Sequence, residues 1–253
     1  MQAHSISRVL VALGIALVSG CGSQQVPGAV AAPAKIQVAP VESPPPTLTD
    51  AGREGWQQLQ ALRGALAGAS AMSAEFEASS AGYYNGGRKE KSLRRASSRS
   101  KLLWAAPERL RVEVLQSATA ALKGGVLATP DGQVLWAKGG GVLSLVPIKL
   151  DASDPRLASN RNHAFRDGNP IAQLRRLTAK GASWLPKSGA PGVMEVTGVP
   201  RLDGEIDAET VTVDPASGRV AAIAAYSRGE KVTEIRFAKQ TWNPPIAGDP
   251  FRL

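Results

Sequence analysis

Apolar positions along the chain follow two different periods. Trp56, Leu59, Leu62 and Leu66 recur at three- and four-residue spacing, which predicts a helix with one apolar stripe that Thr49 or Asp50 can cap. From Met72 the period drops to two. Ala74, Phe76 and Ala78 alternate with Glu75 and Glu77, the pattern of a strand with one dry face. The clearest strand is Arg109 to Leu115: Leu110, Val112 and Val114 face one way, Arg109, Arg111 and Glu113 the other, and Pro107 marks its start. Further strands follow in hairpin order: Val126 to Thr129, a Pro130-Asp131-Gly132 turn, Gln133 to Lys138, glycines 139 to 141, then Val142 to Val146. Asn169 as cap, Pro170 at the first helical position, and Ile171, Leu174 and Leu177 along one face predict a second helix. Strands return at Val193 to Val199, Glu209 to Val213, Arg219 to Tyr226 and Lys231 to Thr241. Turns at Pro215-Ala216-Ser217-Gly218 and Arg228-Gly229-Glu230 separate the last three.

Roughly eight to eleven strands and two helices result, joined mostly by tight turns, so the sheet is antiparallel. Its apolar face must be covered, either by closure into a barrel or by helices. The expected fold is therefore mainly β (α+β): an incomplete antiparallel barrel, or half-barrel, covered by α-helices. Such barrels can enclose a ligand cavity. The inward set that would line it is Phe76, Leu110, Val112, Val114, Leu135, Val211, Val213, Ile235 and Phe237. Only 5% of the chain is aromatic, which leaves room that large rings would otherwise fill. Alternation identifies a shared face but equally allows a solidly packed core.

The first twenty residues read as an address. Met1 to Arg8 is a short basic segment, and Val9 to Val18 is an apolar run of ten residues, too short to span a bilayer. Val18-Ser19-Gly20-Cys21 resembles the lipobox of bacterial lipoproteins, which implies cleavage before Cys21 and acylation there. Three acyl chains would hold the protein firmly on a membrane leaflet. By resemblance to enterobacterial sorting, the non-acidic Gly22 implies the outer membrane. Residues 21–48 are rich in Pro, Ala, Val, Gln and Ser, a tether with too little apolar content to fold. The folded domain is expected over 49–253.

The chain carries 30 Lys+Arg against 21 Asp+Glu. Much of the excess lies in Arg88, Lys89, Lys91, Arg94, Arg95, Arg99 and Lys101, opposed within that stretch only by Glu90. This segment suits anionic headgroups or an acidic partner protein, and reads equally well as a solvated hairpin. An exported lipoprotein excludes nucleic acid as partner despite the basic balance. His4, His163 and Cys21 are too few for a zinc site, and no disulfide can form within the chain. Gly-x-Ser-x-Gly is absent, and His163 reads as a surface histidine in a loop. Asp203, Glu205, Asp207 and Glu209 alternate as on one face of a strand, which reads as an exposed edge rather than a calcium or acid–base site. No enzyme, metal or cofactor is expected.

Several segments, in order, carry a family resemblance: Met72-Ser73-Ala74-Glu75-Phe76, Leu103-Trp104-Ala105-Ala106-Pro107-Glu108-Arg109-Leu110-Arg111, Asp131-Gly132-Gln133-Val134-Leu135-Trp136, Asn169-Pro170-Ile171-Ala172-Gln173-Leu174 and Trp242-Asn243-Pro244-Pro245-Ile246. Their succession over 49–253 looks like the LolA and LolB lipoprotein carriers. The resemblance implies a hydrophobic cavity for acyl chains under a helical lid, without catalysis. It also implies lipids or lipoproteins as cargo, a periplasmic carrier protein as partner, and membrane delivery through an exposed apolar residue, for which Leu93 is the candidate. Where soluble carriers with this motif have a basic residue before the strand-opening proline, this chain has Ala106. The alternative is a non-carrier envelope module: a lipid or peptide sensor, or a structural lipoprotein docking a partner through the basic 88–101 segment.

Overall fold

The computed structural model describes residues 43–44, 48–85, 88–117, 123–140, 147–154 and 159–253. Cys21, the leader-like stretch, most of the tether and the strand expected at 142–146 lie outside them. Helix α1 spans Asp50–Gly68, and Thr49 rather than Asp50 caps it, its hydroxyl accepting the Gly52 amide at 3.1 Å. Leu59, Leu62 and Leu66 form its buried stripe, extended by Gly52, Gly55, Gln60 and Arg63, while Trp56 lies half-buried at the edge.

Six strands follow: β1 (Ala71–Asn85), β2 (Arg88–Ala105), β3 (Arg109–Ser117), β4 (Val126–Thr129), β5 (Val134–Lys138) and β6 (Ile148–Asp151). Two helices, α2 (Phe165–Gly168) and α3 (Pro170–Leu177), lead to β7 (Ser183–Pro186), β8 (Val193–Thr197), β9 (Ala208–Val213), β10 (Val220–Ser227) and β11 (Glu230–Trp242). Asn169 caps α3 as expected, its side-chain oxygen accepting the Ala172 amide at 3.0 Å. The strands form one antiparallel sheet in the order β6-β5-β4-β3-β2-β1-β11-β10-β9-β8-β7. Each half is a simple meander, and the pairing of β1 with β11 joins the two at the centre. β6 and β7 are the edges, so the barrel stays open.

The period-two strands and the second helix fall within a residue or two of their expected bounds. The basic segment makes up the outer part of the 18-residue strand β2, which pairs with β1 as one arm of a long antiparallel hairpin. The elements the pattern does not show are β2, whose outer part buries neither face and so carries no alternation, and the four-residue elements α2, β6 and β7. The β10–β11 turn has φ of 53° at Arg228 and 77° at Gly229, the double positive-φ geometry whose twist matches that of a two-residue hairpin.

The expected row of acids does not form a strand. Asp203 accepts the amides of Glu205 and Ile206 at 2.9 and 3.2 Å, a local Asp-backbone turn that breaks the alternation before β9 begins at Ala208. Glu209 is then buried instead of exposed.

The concave face of the sheet is covered by α1 and α3. A Cβ on Gly55 would lie 1.9 Å from the Trp184 carbonyl oxygen, so α1 seats directly on the β7 backbone. Buried Trp184 donates its indole N–H to the Leu177 carbonyl at 3.0 Å. Arg63 reaches across from α1, donating from Nε to Thr178 O and from Nη2 to Ala179 O, each at 2.9 Å. Its cation thus meets carbonyls at the C-terminal end of α3, where the helix dipole favours positive charge.

On the convex face, Phe251 is fully buried with Ala71 and Ala105, under the Arg109 guanidinium at 4.8 Å from the ring centroid. Asn243, at φ 51°, turns the chain into this strap and accepts the Ser70 amide at 2.7 Å.

Gly55→Ala should cost about 2 kcal/mol, because the added methyl must push α1 off a rigid carbonyl rather than off a flexible side chain. A denaturant melt in which the variant keeps the wild-type midpoint would contradict this seating.

Candidate functional site

Between the concave sheet and the 159–173 segment lies a small chamber of about 140 Å³. Phe76, Ala78, Ser98, Ser100, Val112, Ile223, Ala225 and Ile235 line its sheet side, and His163, Phe165, Asn169 and Pro170 its cover. The register explains the space. Ala78 lies between Ser98 of β2 and Ile235 of β11, and Ser80 between Ala96 and Thr233, so the centre of the sheet presents small side chains at this end. Toward the other end larger side chains such as Met72 and Leu102 are fully buried in the main core.

Of the expected inward set, Phe76, Val112 and Ile235 line the small chamber. Leu110 lines a second chamber described next. Val114, Leu135, Val211 and Val213 are buried in the same core, and half-buried Phe237 packs against it. Ala78 belongs to the dry face read from the alternation, but Ser98 and Ser100, which make the rest of the room, were the missed half of the pattern. They hold the same inward period but carry no hydrophobic signal.

A larger chamber of about 690 Å³ lies on the other side of the cover, within the usual range of ligand pockets. Trp104, Leu110, Ile171, Phe165 and Leu202 supply apolar walls, and Arg166, Arg175, Arg176 and Arg201 stand around it. Phe165, Asn169 and Leu202 border both chambers and form the partition. Arg176 and Glu209 reinforce it from opposite sides. Arg176 Nη1 donates to Glu209 Oε2 at 2.9 Å, Nη2 pairs with Oε1, and Glu209 is 2% exposed. This buried pair joins α3 to β9, so Glu209 supports the cover rather than guarding a sheet edge.

His163 is also buried, contrary to the surface position expected for it. An ionised carboxylate only accepts, so His163 Nε2 donates to Asp203 Oδ2 at 2.7 Å. Arg161 donates to both Asp203 oxygens, at 2.9 and 3.0 Å, and to the Ala81 carbonyl at 3.1 Å. The clasp ties the 159–163 turn to β1 and to the 203–206 turn. Gly82 permits the close approach, since a Cβ there would sit 2.2 Å from Asn160 O. Burial alone would raise the Asp203 carboxyl, but hydrogen bonds from His163 and Arg161 and the Arg161 charge outweigh it. They hold the group well below the ordinary carboxylate range.

Past the clasp, β1 and β2 continue as a two-stranded ribbon. β11 is registered with β1 only as far as Ser80, and β3 with β2 only as far as Ser98, among the described residues. Gly82 pairs with Arg94 but Tyr84 with Lys89, so extra β2 residues bulge out around Leu93. Leu93 and Tyr83 are exposed there. Arg94 pairs with Glu90 at 3.6 Å and Arg99 with Glu75 at 2.9 Å. Arg88, Lys89, Lys91, Arg95 and Lys101 have no ion pair among the described residues.

Asp203→Asn should destabilise the domain by about 2 kcal/mol at neutral pH, because it removes the closer, bidentate carboxylate from buried Arg161 and leaves only the exposed Glu205 at 3.3 Å. A depressed carboxylate stabilises above its unfolded value near 4 and loses that contribution as pH falls further, so the gap between variant and wild type should narrow below about pH 4. Urea melts at pH 7 and pH 3 giving the same gap would refute the clasp.

No protein-family model matches the chain, and no curated protein matches it. Solved structures with partial likeness include an uncharacterized conserved protein from Thermus thermophilus, at 9% identity and TM-score 0.42, over 77% of this chain and 88% of that one. A putative outer membrane lipoprotein-sorting protein domain from Vibrio parahaemolyticus overlaps at 12% identity and TM-score 0.40, over 79% and 97%. A LolA superfamily protein from Nitrosomonas europaea overlaps at 13% identity and TM-score 0.31, over 71% and 89%. The chain's own strand order and helical cover are those of an open antiparallel half-barrel.

Proposed function

We propose that this chain is a lipid-anchored protein of the outer membrane whose folded domain faces the periplasm, takes up acyl chains of lipids or lipoproteins, and helps deliver them to the membrane without catalysis. The observation that carries the reading is the small chamber: a mainly apolar space kept open by Ala78, Ser98 and Ala225 under the 159–173 cover. A cavity near 150 Å³ accepts a benzene-sized guest, so 140 Å³ holds about the last six carbons of a tail. A longer chain must displace the cover. The motif Val18-Ser19-Gly20-Cys21 supports acylation at Cys21, and the Pro-rich stretch to residue 48 gives the domain reach from the bilayer. Cargo would arrive from a soluble periplasmic carrier protein.

The ribbon is the part suited to the membrane. Its exposed Leu93 and Tyr83 sit among cations, an arrangement that favours an anionic leaflet, with each basic residue near the surface worth about 1 kcal/mol. The second reading, a module that docks an acidic partner protein, draws on the same unpaired charges.

Ala78→Phe fills the small chamber from a half-buried position at its wall. It should lower uptake of a fluorescent fatty-acid probe at least tenfold with little change in melting temperature. Undiminished uptake by a folded variant would remove the carrier function.

Reversing Arg88, Lys89, Lys91 and Arg95 to Glu should abolish binding to vesicles containing phosphatidylglycerol while probe uptake persists. Retained vesicle binding, together with loss of a captured protein partner, would favour the docking reading instead.

A further inference from the structure

The larger chamber has more hydrogen-bond donors than acceptors to receive them. Trp104 lines it, is 3% exposed, and its indole N–H has no hydrogen-bond partner. An indole nitrogen can only donate. Arg176 Nε, also a pure donor, is buried without a partner although both terminal nitrogens are engaged by Glu209, Gln173 and Pro200. Arg175 stacks over the Trp104 ring at 5.1 Å and binds Glu108 at 2.9 Å, a carboxylate open to solvent at the chamber rim. Arg201 lines the chamber, exposed and with no ion pair among the described residues.

Leaving buried donors unmet is costly, and a guest rich in acceptor oxygens would recover that cost. The acids at the chamber do not fill this need. Asp131 spends one oxygen on the amides of Gln133 and Val134, and Asp167 faces Arg166 at 3.5 Å. Leu110, Ile171, Phe165 and Leu202 give the chamber an apolar side beside Thr129, Gln133 and Asn169. A free inorganic anion would leave that apolar side facing water, whereas an oxyanion carried on a hydrocarbon chain satisfies both kinds of wall.

We infer that the larger chamber is the head-group site for an amphiphile bearing a phosphate or carboxylate, its oxygens received by Trp104 Nε1, Arg176 Nε and Arg201, and its chain directed at the partition of Phe165 and Leu202. The inference rests on the proposed acyl-binding role and specifies the class of lipid: anionic at the head rather than neutral.

Calorimetric titration of the full chain carrying Cys21→Ser, which keeps its length without the anchor, tests this with decyl phosphate, decanol and inorganic phosphate. Decyl phosphate should bind at least tenfold tighter than decanol, and inorganic phosphate far more weakly than either. Trp104→Phe, which keeps a ring but removes the N–H, should shrink the phosphate-over-alcohol ratio at least threefold. Arg201→Gln, at an exposed position that cannot disturb the core, should do the same. Equal affinity for decyl phosphate and decanol overturns the head-group site while leaving acyl binding intact. So does a ratio preserved in the folded Arg201→Gln variant. Binding of inorganic phosphate without either decyl compound overturns both the site as described and the acyl-binding role.

Discussion

An open sheet of two joined meanders, eleven strands among the described residues, presents one apolar face that water must be kept from, and most of the molecule follows from that constraint. The cover is thin: one long helix, two short ones and the turns between them. It holds because its pieces touch backbone to backbone where they can and by charge where they cannot. Gly55 lets α1 rest on β7, and Arg63 fastens α1 to the carbonyl end of α3. Arg176 and Glu209 fix α3 to β9, while Arg161, His163 and Asp203 bind the remaining turn to β1.

Space inside such a structure is decided by side-chain volume along a few rows. Where β1 and β2 present Met72 and Leu102, the cover leaves them fully buried in the main core. Where these strands and β11 present Ala, Ser and Thr, the same cover stands off and a chamber remains. The two chambers on either side of Phe165 and Leu202 differ in chemistry for the same reason. One faces the sheet, and the other faces the outer side of α3 and the arginines that end it.

The strands could be read from the chain because each buries one face only, so burial writes a period of two into residues such as Leu110, Val112 and Val114. Asn169 and Pro170 announce α3 by chemistry alone. What remained illegible depends on contacts between distant segments. Arg161 and Asp203 meet across 42 residues, and without the fold Asp203 is one of four alternating acids and His163 a histidine in a loop. Glu209 looked like part of an exposed row because the turn at Asp203 has no hydrophobic signature. The larger chamber joins Trp104, on a strand, to Arg175 and Arg176 on the last turn of a helix about seventy residues later, as the 67-residue Arg175–Glu108 bond illustrates. Their convergence follows from how α3 is seated, which no local pattern records.

The central seam of the sheet is made from the two ends of the domain, β1 and β11, with Phe251 locking the convex side close to the last residue. Neither half can therefore finish its hydrogen-bond ladder until β1 and β11, more than 140 residues apart, have met. The entropy of closing so large a loop must be met before the seam rewards it.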